Sequence, residues 1–481
     1  MPTENSGNAS LSEFYTASGL KRLADKMRRQ PVVDRVREFL DDLRTDVNAA
    51  ARERLPQVTA MAGRLARRVL GEGAVGQRAV INASGVIAPQ NLHLPLCDAA
   101  LAEINATATE YVERQPLLGA ACETKVCQLL QALTGADAAL VVNSHSAALQ
   151  LVLSALAAKR DVVIARTQVA AIDGVPLTAI ADAAQIRLRE VGTASCASAS
   201  DYAGAVDHWQ DASGTAQTAV VLQHLPSEFS FIGNHTCATL DELVELCGAK
   251  QTIVVQSLDL ATLLDLSGHC GDCATLVGQS IVSGADVVVF GGERLVGGPP
   301  CGIIVGRRAL LKTIAAQSAL RSLAADRLTQ AALQGTLEQY REPGVAERQI
   351  PLLQMLIVAE ANLKNRAERL APQLASLPAI AAAAASERPA YISASQVENQ
   401  RLASWAVALQ PAQGDADHLA QRLRELSPAV WGSVADGKLW LDLRGVLPRQ
   451  DEQIVRALQT LAGPGGNESS PQASPVSTVA E

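Results

Sequence analysis

The sequence predicts an α/β protein organised around a doubly wound, mostly parallel sheet. Three observations carry this. Short Val- and Ile-rich runs alternate with longer helical stretches between about residues 80 and 310, the pattern of right-handed βαβ crossovers. Aromatic residues are only 3% of the 481 while hydrophobic residues reach 48%, which fits an Ala/Leu/Val core better than an all-β one. Paired glycines, Gly291-Gly292 and Gly297-Gly298, follow one apolar run, and a turn at a strand end is where an open α/β sheet receives ligands.

The elements follow in chain order. Residues 11–70 show helical spacing (Leu20, Leu23 and Met27, then Val36, Leu40 and Leu43), divided by Pro31 and Pro56 into two or three helices. Runs 139–142, 161–164, 219–222, 252–255 and 286–290 are bounded by Gly or polar clusters and read as buried parallel strands. A further apolar run, 303–305, follows the glycine cluster. Residues 308–375 read as helical, with breaks near Pro343 and Pro351. The Ala-rich stretch 379–386 reads as a linker or weak helix. Residues 403–460 form a small α+β unit: strand 405–409, helix 415–426, strand 438–443 and helix 451–461. The Gly/Pro/Ser-rich tail 463–481 lacks apolar mass and is expected to be disordered. The expected division is an N-terminal helical domain over 1–75, a large α/β domain over 76–335, a small α+β domain over 336–462, and the tail.

Charge and composition exclude several classes. The net charge is −8, but residues 1–70 hold 13 basic against 9 acidic side chains, leaving the remainder at −12. The N-terminal excess reads first as a solvated helical face, and it is the one part of the chain suited to a polyanion. No run of 18 apolar residues occurs, so no membrane span is expected. The start MPTENSGNAS has neither a basic n-region nor an apolar h-region, so a cytoplasmic location is expected. Nine cysteines, an odd number without framework spacing, read as reduced thiols. His269-Cys270-Gly271-Asp272-Cys273 supplies half of a structural zinc site. With no second half, the expectation is no metal and a reduced surface loop. His224 and His235 flank Glu228 in what reads as a loop after a strand, at spacings that match no catalytic template. They read as solvated or capping residues.

Six ordered segments give the chain a family resemblance. They are Ile81-Asn82-Ala83-Ser84-Gly85-Val86, Leu133-Thr134-Gly135-Ala136-Asp137 with the following Ala138 to Asn143, Glu190-Val191-Gly192-Thr193, Ser283-Gly284-Ala285-Asp286, Gly297-Gly298-Pro299, and Leu439-Trp440-Leu441-Asp442-Leu443-Arg444. Together they resemble bacterial selenocysteine synthase, the L-seryl-tRNA(Sec) selenium transferase family, from about residue 20 to 460. The resemblance implies a fold-type-I PLP-dependent transferase, aspartate aminotransferase-like in its large domain. It also implies at least a homodimer, with tRNA contact through the basic N-terminal helices.

The same resemblance exposes departures at the site. The family's glycine-rich turn reads Ser-Gly-Asp-Lys-Leu-Leu-Gly-Gly-Pro, and its lysine forms the Schiff base with pyridoxal 5′-phosphate (PLP). Here that position is Arg294, preceded by Glu293. A Schiff base needs a neutral amine, whereas a guanidinium stays protonated up to a pKa above ~12. The family's aspartate at the pyridine nitrogen falls on Gln256, or on Ser257 with a different gap, and Asp259 would substitute only after a shift. The cluster near the cofactor has become Asn143-Ser144-His145-Ser146, where His145 is either a ring-stacking or a capping residue. The segments matching His-Thr-Asn-Leu-Gly-Arg and Arg-Gly-x-Arg have become Pro89 to Leu94 and Ala120-Ala121-Cys122-Glu123, and a small-domain arginine is Ser433. Arg166 is kept.

The resulting expectation is a degenerate cofactor pocket of Asn143, Ser144, His145, Arg166, Gln256 and Arg294, without a covalent aldimine. The chain would serve in binding or regulation, with an active relative as one candidate partner. The competing expectation is a working PLP-dependent transferase that makes selenocysteinyl-tRNA. Of the eight lysines, only Lys250 lies just before a core strand, and at its wrong end. A third reading makes the chain an oligomerisation partner with no ligand.

Overall fold

Seven strands form the central sheet of the computed structural model, which describes residues 78–111, 124–208, 218–229, 231, 233–248, 252–395 and 400–461. The helices expected over 11–70, the domain over 1–75 and the tail over 463–481 lie outside the described residues.

The strands of the two large sheets, with one hairpin, are β1 (Val80–Ala83), β2 (Ala138–Val142), β3 (Asp161–Ala165), β4 (Ala171–Ile172), β5 (Val175–Pro176), β6 (Arg187–Val191) and β7 (Thr218–Leu225). They continue with β8 (Ile253–Leu258), β9 (Val287–Gly291), β10 (Gly302–Gly306), β11 (Ile380–Glu387), β12 (Trp405–Pro411), β13 (Ala429–Ala435) and β14 (Lys438–Asp442). The central sheet runs β2-β10-β9-β8-β7-β3-β6. Five strands, β9-β8-β7-β3-β6, pair in parallel. β10 is antiparallel to both β9 and β2, because the glycine turn sends the chain straight back without a crossover.

Helices cover both faces. The helices His145–Leu156 and Arg308–Ala315 share one apolar cluster with Leu140, Val162 and Val289, while Lys125–Thr134 and Arg327–Gln339 share another with Val288, Phe290 and Ile303. Successive residues of β9 serve opposite clusters, and all of Val287 to Phe290 are fully buried. This two-sided burial explains an unbroken apolar run instead of alternation.

The expected strand positions are met within a few residues. β6 was missed, since three residues of its sequence Arg-Leu-Arg-Glu-Val are charged. It lies at the sheet edge beside β3, where Arg187 and Arg189 both reach the buried Asp161.

A second sheet runs β1-β13-β14-β12-β11. Two expectations change here. The stretch read as a linker or weak helix is the strand β11, antiparallel to β12 with Ala383 opposite Leu409 and Ala385 opposite Val407. Alanine is the strongest intrinsic helix former, yet that preference is worth less than about 1 kcal/mol per residue and yields to packing; β12 and the helix Glu360–Ala375 pack against this segment and decide its state. The segment that opens the large domain expected over 76–335 also lies in this second sheet rather than the central one. β1 pairs in parallel with β13, and Ile81 and Ala83 pack among Leu363, Leu370 and Leu439 in the C-terminal core. Pro343 and Pro351 each open a helix, Pro343–Gln349 and Pro351–Ile357, at the first-turn position a proline tolerates.

Candidate functional site

The carboxyl ends of β2, β8 and β9 meet at one cavity through Asn143, Asp259 and Gly291, as expected of an open parallel sheet. The glycine turn forms its rim. Gly292 N–H donates to Cys301 O at 2.8 Å and Gly298 N–H to Gly292 O at 2.9 Å. Between them Arg294–Val296 makes a single 3-10 turn, closed by Gly297 N–H on Arg294 O at 2.9 Å. Arg294 itself adopts a φ of 54°, a left-handed conformation that is uncommon for a long side chain.

That backbone carries the guanidinium into the site. Arg294 Nη1 donates to Ser227 Oγ at 2.9 Å, and Ser227 donates to Asp259 Oδ2 through its N–H at 3.0 Å and its Oγ at 3.2 Å. The Ser227 carbonyl accepts from Ser395 Oγ at 2.8 Å and from Gln400 Nε2 at 3.1 Å. One serine thereby joins the arginine, a buried carboxylate and the segment leading to the small sheet.

Below this relay lie two imidazoles. His145 Nε2 is 3.0 Å from Ser257 Oγ, His224 Nδ1 is 3.2 Å from the same oxygen, and His145 Nδ1 is 3.9 Å from Asp259 Oδ1. Burial lowers the His145 pKa to about 4, outweighing the pull of Asp259 and Asp173. Burial likewise lowers that of His224. Both rings are neutral at pH 7. Glu293 is pushed above the usual carboxylate range by burial and then by Asp173. Burial drives the Cys301 thiol up to about 12, so it is no nucleophile at neutral pH.

Two adjoining cavities open here. One of about 160 Å³ is lined by Asn143, Ser144, His145, Asp259 and Cys301 among others. The second, about 350 Å³, is lined by Pro89, Gln90 and His93. Asp173, Glu293 and Arg294 line both. The lining thus carries three carboxyl groups against one guanidinium.

The expected site residues divide accordingly. Asn143, Ser144, His145 and Arg294 come together. Gln256 does not join them: it sits on the opposite face of β8 from Ser257, and its Nε2 donates to Gln223 Oε1 at 2.7 Å. Arg166 lies past the end of β3, where its Nε donates to Glu190 Oε2 at 3.0 Å on the surface. Of the three positions weighed for the pyridine contact, Asp259 lines the cavity, and Ser257 sits behind it, bonded to the lining residue His145.

Two expectations are corrected, those for His224 and for the Cys270–Cys273 loop, while His235 is solvated as expected. His224 is neither solvated nor capping but lies within β7, fully buried. His235 is exposed and stacks on Phe231 with centroids 4.1 Å apart. Cys270 and Cys273 are buried rather than on a surface loop, and a hydrogen bond from Cys273 lowers the Cys270 pKa. Among the described residues no group of three or more His, Cys, Asp or Glu is arranged to hold a metal ion. No described helix is long and apolar enough to cross a membrane.

Sequence reasoning missed Asp173 and Ser227. Ser227 had no local signal. Asp173-Gly174 between Ile172 and Val175 did, since an Asp-Gly pair flanked by apolar residues is a hairpin signature.

A family model described as L-seryl-tRNA selenium transferase matches residues 80–447. The chain is 35% identical over 452 residues to the L-seryl-tRNA(Sec) selenium transferase of Moorella thermoacetica, spanning 92% of this chain and 94% of that one. It is 30% identical over 469 residues to the enzyme of the same name from Hyphomonas neptunium, spanning 94% and 97%. Among solved structures, D-glucosaminate-6-phosphate ammonia-lyase superimposes with a TM-score of 0.57 at 18% identity, covering 82% of this chain and 97% of that one. That likeness concerns the fold alone. With the fold of the type-I PLP-dependent transferases and a family match over most of its length, the chain belongs to the L-seryl-tRNA selenium transferase family.

Proposed function

We propose that this chain is a catalytically degenerate member of its family, which keeps the transferase fold for binding or regulation without covalent PLP chemistry. Arg294 carries the reading. It stands where the family resemblance puts the Schiff-base lysine, its guanidinium has no neutral amine to offer, and its Nη1 is bonded to Ser227.

The surrounding residues support the same reading, because they do not fit PLP. The strand end that should present a carboxylate to a pyridinium presents Ser257 Oγ between two neutral imidazoles. Asp259 brings a carboxylate close, yet its Oδ2 is tied to Ser227 and its Oδ1 faces His145. The acidic lining opposes a phosphate dianion. What remains is a water-accessible pocket held rigid by the Arg294–Ser227–Asp259 relay, suited to binding rather than to imine formation. This reading takes the protein as a cytoplasmic homo-oligomer of at least two subunits. Its basic N-terminal segment would contact tRNA, and an active relative would be its partner.

The second reading, an active PLP-dependent selenium transferase, is favoured by near-full-length likeness to proteins of that name. It needs a lysine, and none of the described lysines (Lys125, Lys159, Lys312, Lys364 and Lys438) lines either cavity. An absorbance spectrum of the purified chain with added PLP, then borohydride reduction and peptide mapping, separates the two. The expected result is no aldimine band and no labelled peptide. A band together with reduced cofactor on one lysine would sink the degenerate reading.

A further inference from the structure

The helix His145–Leu156 begins at the cavity, directly after β2. The first N–H groups of such a helix have no partner within it and carry about half a positive charge, so they are the natural seat of an anion. In this chain two of them are already taken by side-chain oxygens. Ser144 Oγ accepts from Ala147 N–H at 3.1 Å, as an ordinary N-cap. Asp173 Oδ2 accepts from Ser146 N–H at 3.0 Å.

Asp173 is distant in sequence and is delivered by a hairpin. β4 and β5 pair Ile172 with Val175, and the two tip residues, Asp173 and Gly174, have φ of 52° and 76°. Positive φ at both tip positions is the geometry that favours Asp-Gly. The tip is solvent-facing and lines both cavities beside Glu293 and Arg294. The only cation in that lining, Arg294, is hydrogen-bonded to Ser227.

We propose that the Asp173 carboxylate is a built-in anion that holds the phosphate position of this pocket, so that the pocket rejects phosphate-bearing ligands whether or not an imine could form. The inference deepens the reading above and rests on it for taking this cavity as the former cofactor site. A phosphate entering here would have to displace a carboxylate from the helix terminus and then lie beside it, with Asp259 in the same lining adding like charge.

The test uses pyridoxine 5′-phosphate, which carries ring and phosphate but no aldehyde, against unphosphorylated pyridoxine, by equilibrium dialysis on the full chain. The wild type is expected to retain the phosphate ester no better than pyridoxine. Asp173→Asn and Asp173→Gly, both compatible with a left-handed φ, are expected to raise affinity for the ester by about tenfold or more and to leave pyridoxine unchanged. A wild type that prefers the ester overturns the proposal without needing any variant. So does a folded variant, checked by circular dichroism, that shows no gain. Because the probe forms no Schiff base, these outcomes are independent of the Arg294 argument. A PLP-labelled lysine would overturn that argument instead, and would leave this affinity comparison readable.

Discussion

Burial sets the protonation of the two imidazoles beside Ser257, and stability should report it. His145 has a folded pKa of about 4 against an ordinary value of 6.5. The unfolded chain therefore takes up this proton first as pH falls. The stabilisation is complete above pH 6.5, declines between 6.5 and 4, and is gone below 4. At about 1.4 kcal/mol per pH unit the total is about 3 kcal/mol. His145→Gln, which has no such proton, should show a flatter decline in that window. Chemical denaturation of both proteins between pH 7 and pH 4 measures the difference, and parallel curves would assign the acid sensitivity elsewhere. Arg294 makes the complementary point at the same scale: a guanidinium, which offers no neutral amine, stands in a glycine turn whose backbone hydrogen bonds are intact.

Elements are held at the site by close backbone approaches that the sequence marks only as glycines. Gly302, the first residue of β10, lies against the start of the helix His145–Leu156. A Cβ there would collide with the Ser144 carbonyl and come within 2.8 Å of Ala148 Cβ. Gly302→Ala should cost about 1–3 kcal/mol through overpacking, read as a lower urea midpoint at unchanged slope. A change below 0.5 kcal/mol would mean the helix start yields freely. β11 shows the limit of local reasoning at this scale. A run of five alanines has no periodicity to betray a strand, and only its partner β12 reveals it. The parallel strands were legible because full burial on two faces demands continuous Val and Ile. β6 was not, since an edge strand escapes that demand.

Across the molecule, segments that carried the family resemblance prove to be joints. Asn82 Nδ2 donates to Val86 O at 2.7 Å and shapes the turn after β1. Arg444 donates to the carbonyls of Met355 and Leu356 at 3.0 Å each and fastens the turn after β14 to the helix Pro351–Ile357. Arg366 and Asp451 pair at 2.6 Å with little exposure and lock the helix Glu360–Ala375 onto the C-terminal helix Asp451–Leu461. Breaking that pair leaves the buried Asp451 carboxylate with only the exposed Arg369, at 3.3 Å, so Arg366→Met should destabilise by about 3 kcal/mol, and Asp451→Leu added to it should recover a large part. Thermal denaturation of the two variants checks this; additive losses would show that the charges act independently.

The sequence alone determined the α/β class, most strand positions, the family, and that the side chain at position 294 is a guanidinium without a neutral amine. Each of these depends on residue type or local pattern, which a linear string preserves. Only tertiary structure decided the rest: that β1 belongs to the C-terminal sheet, that His224 is buried, that Gln256 and Arg166 stand apart from the cavity, and that Asp173 reaches the helix terminus. Those facts depend on which face of a strand a side chain occupies and on which distant loop arrives beside it. Both are set by packing between segments far apart in the chain, and no local pattern records them.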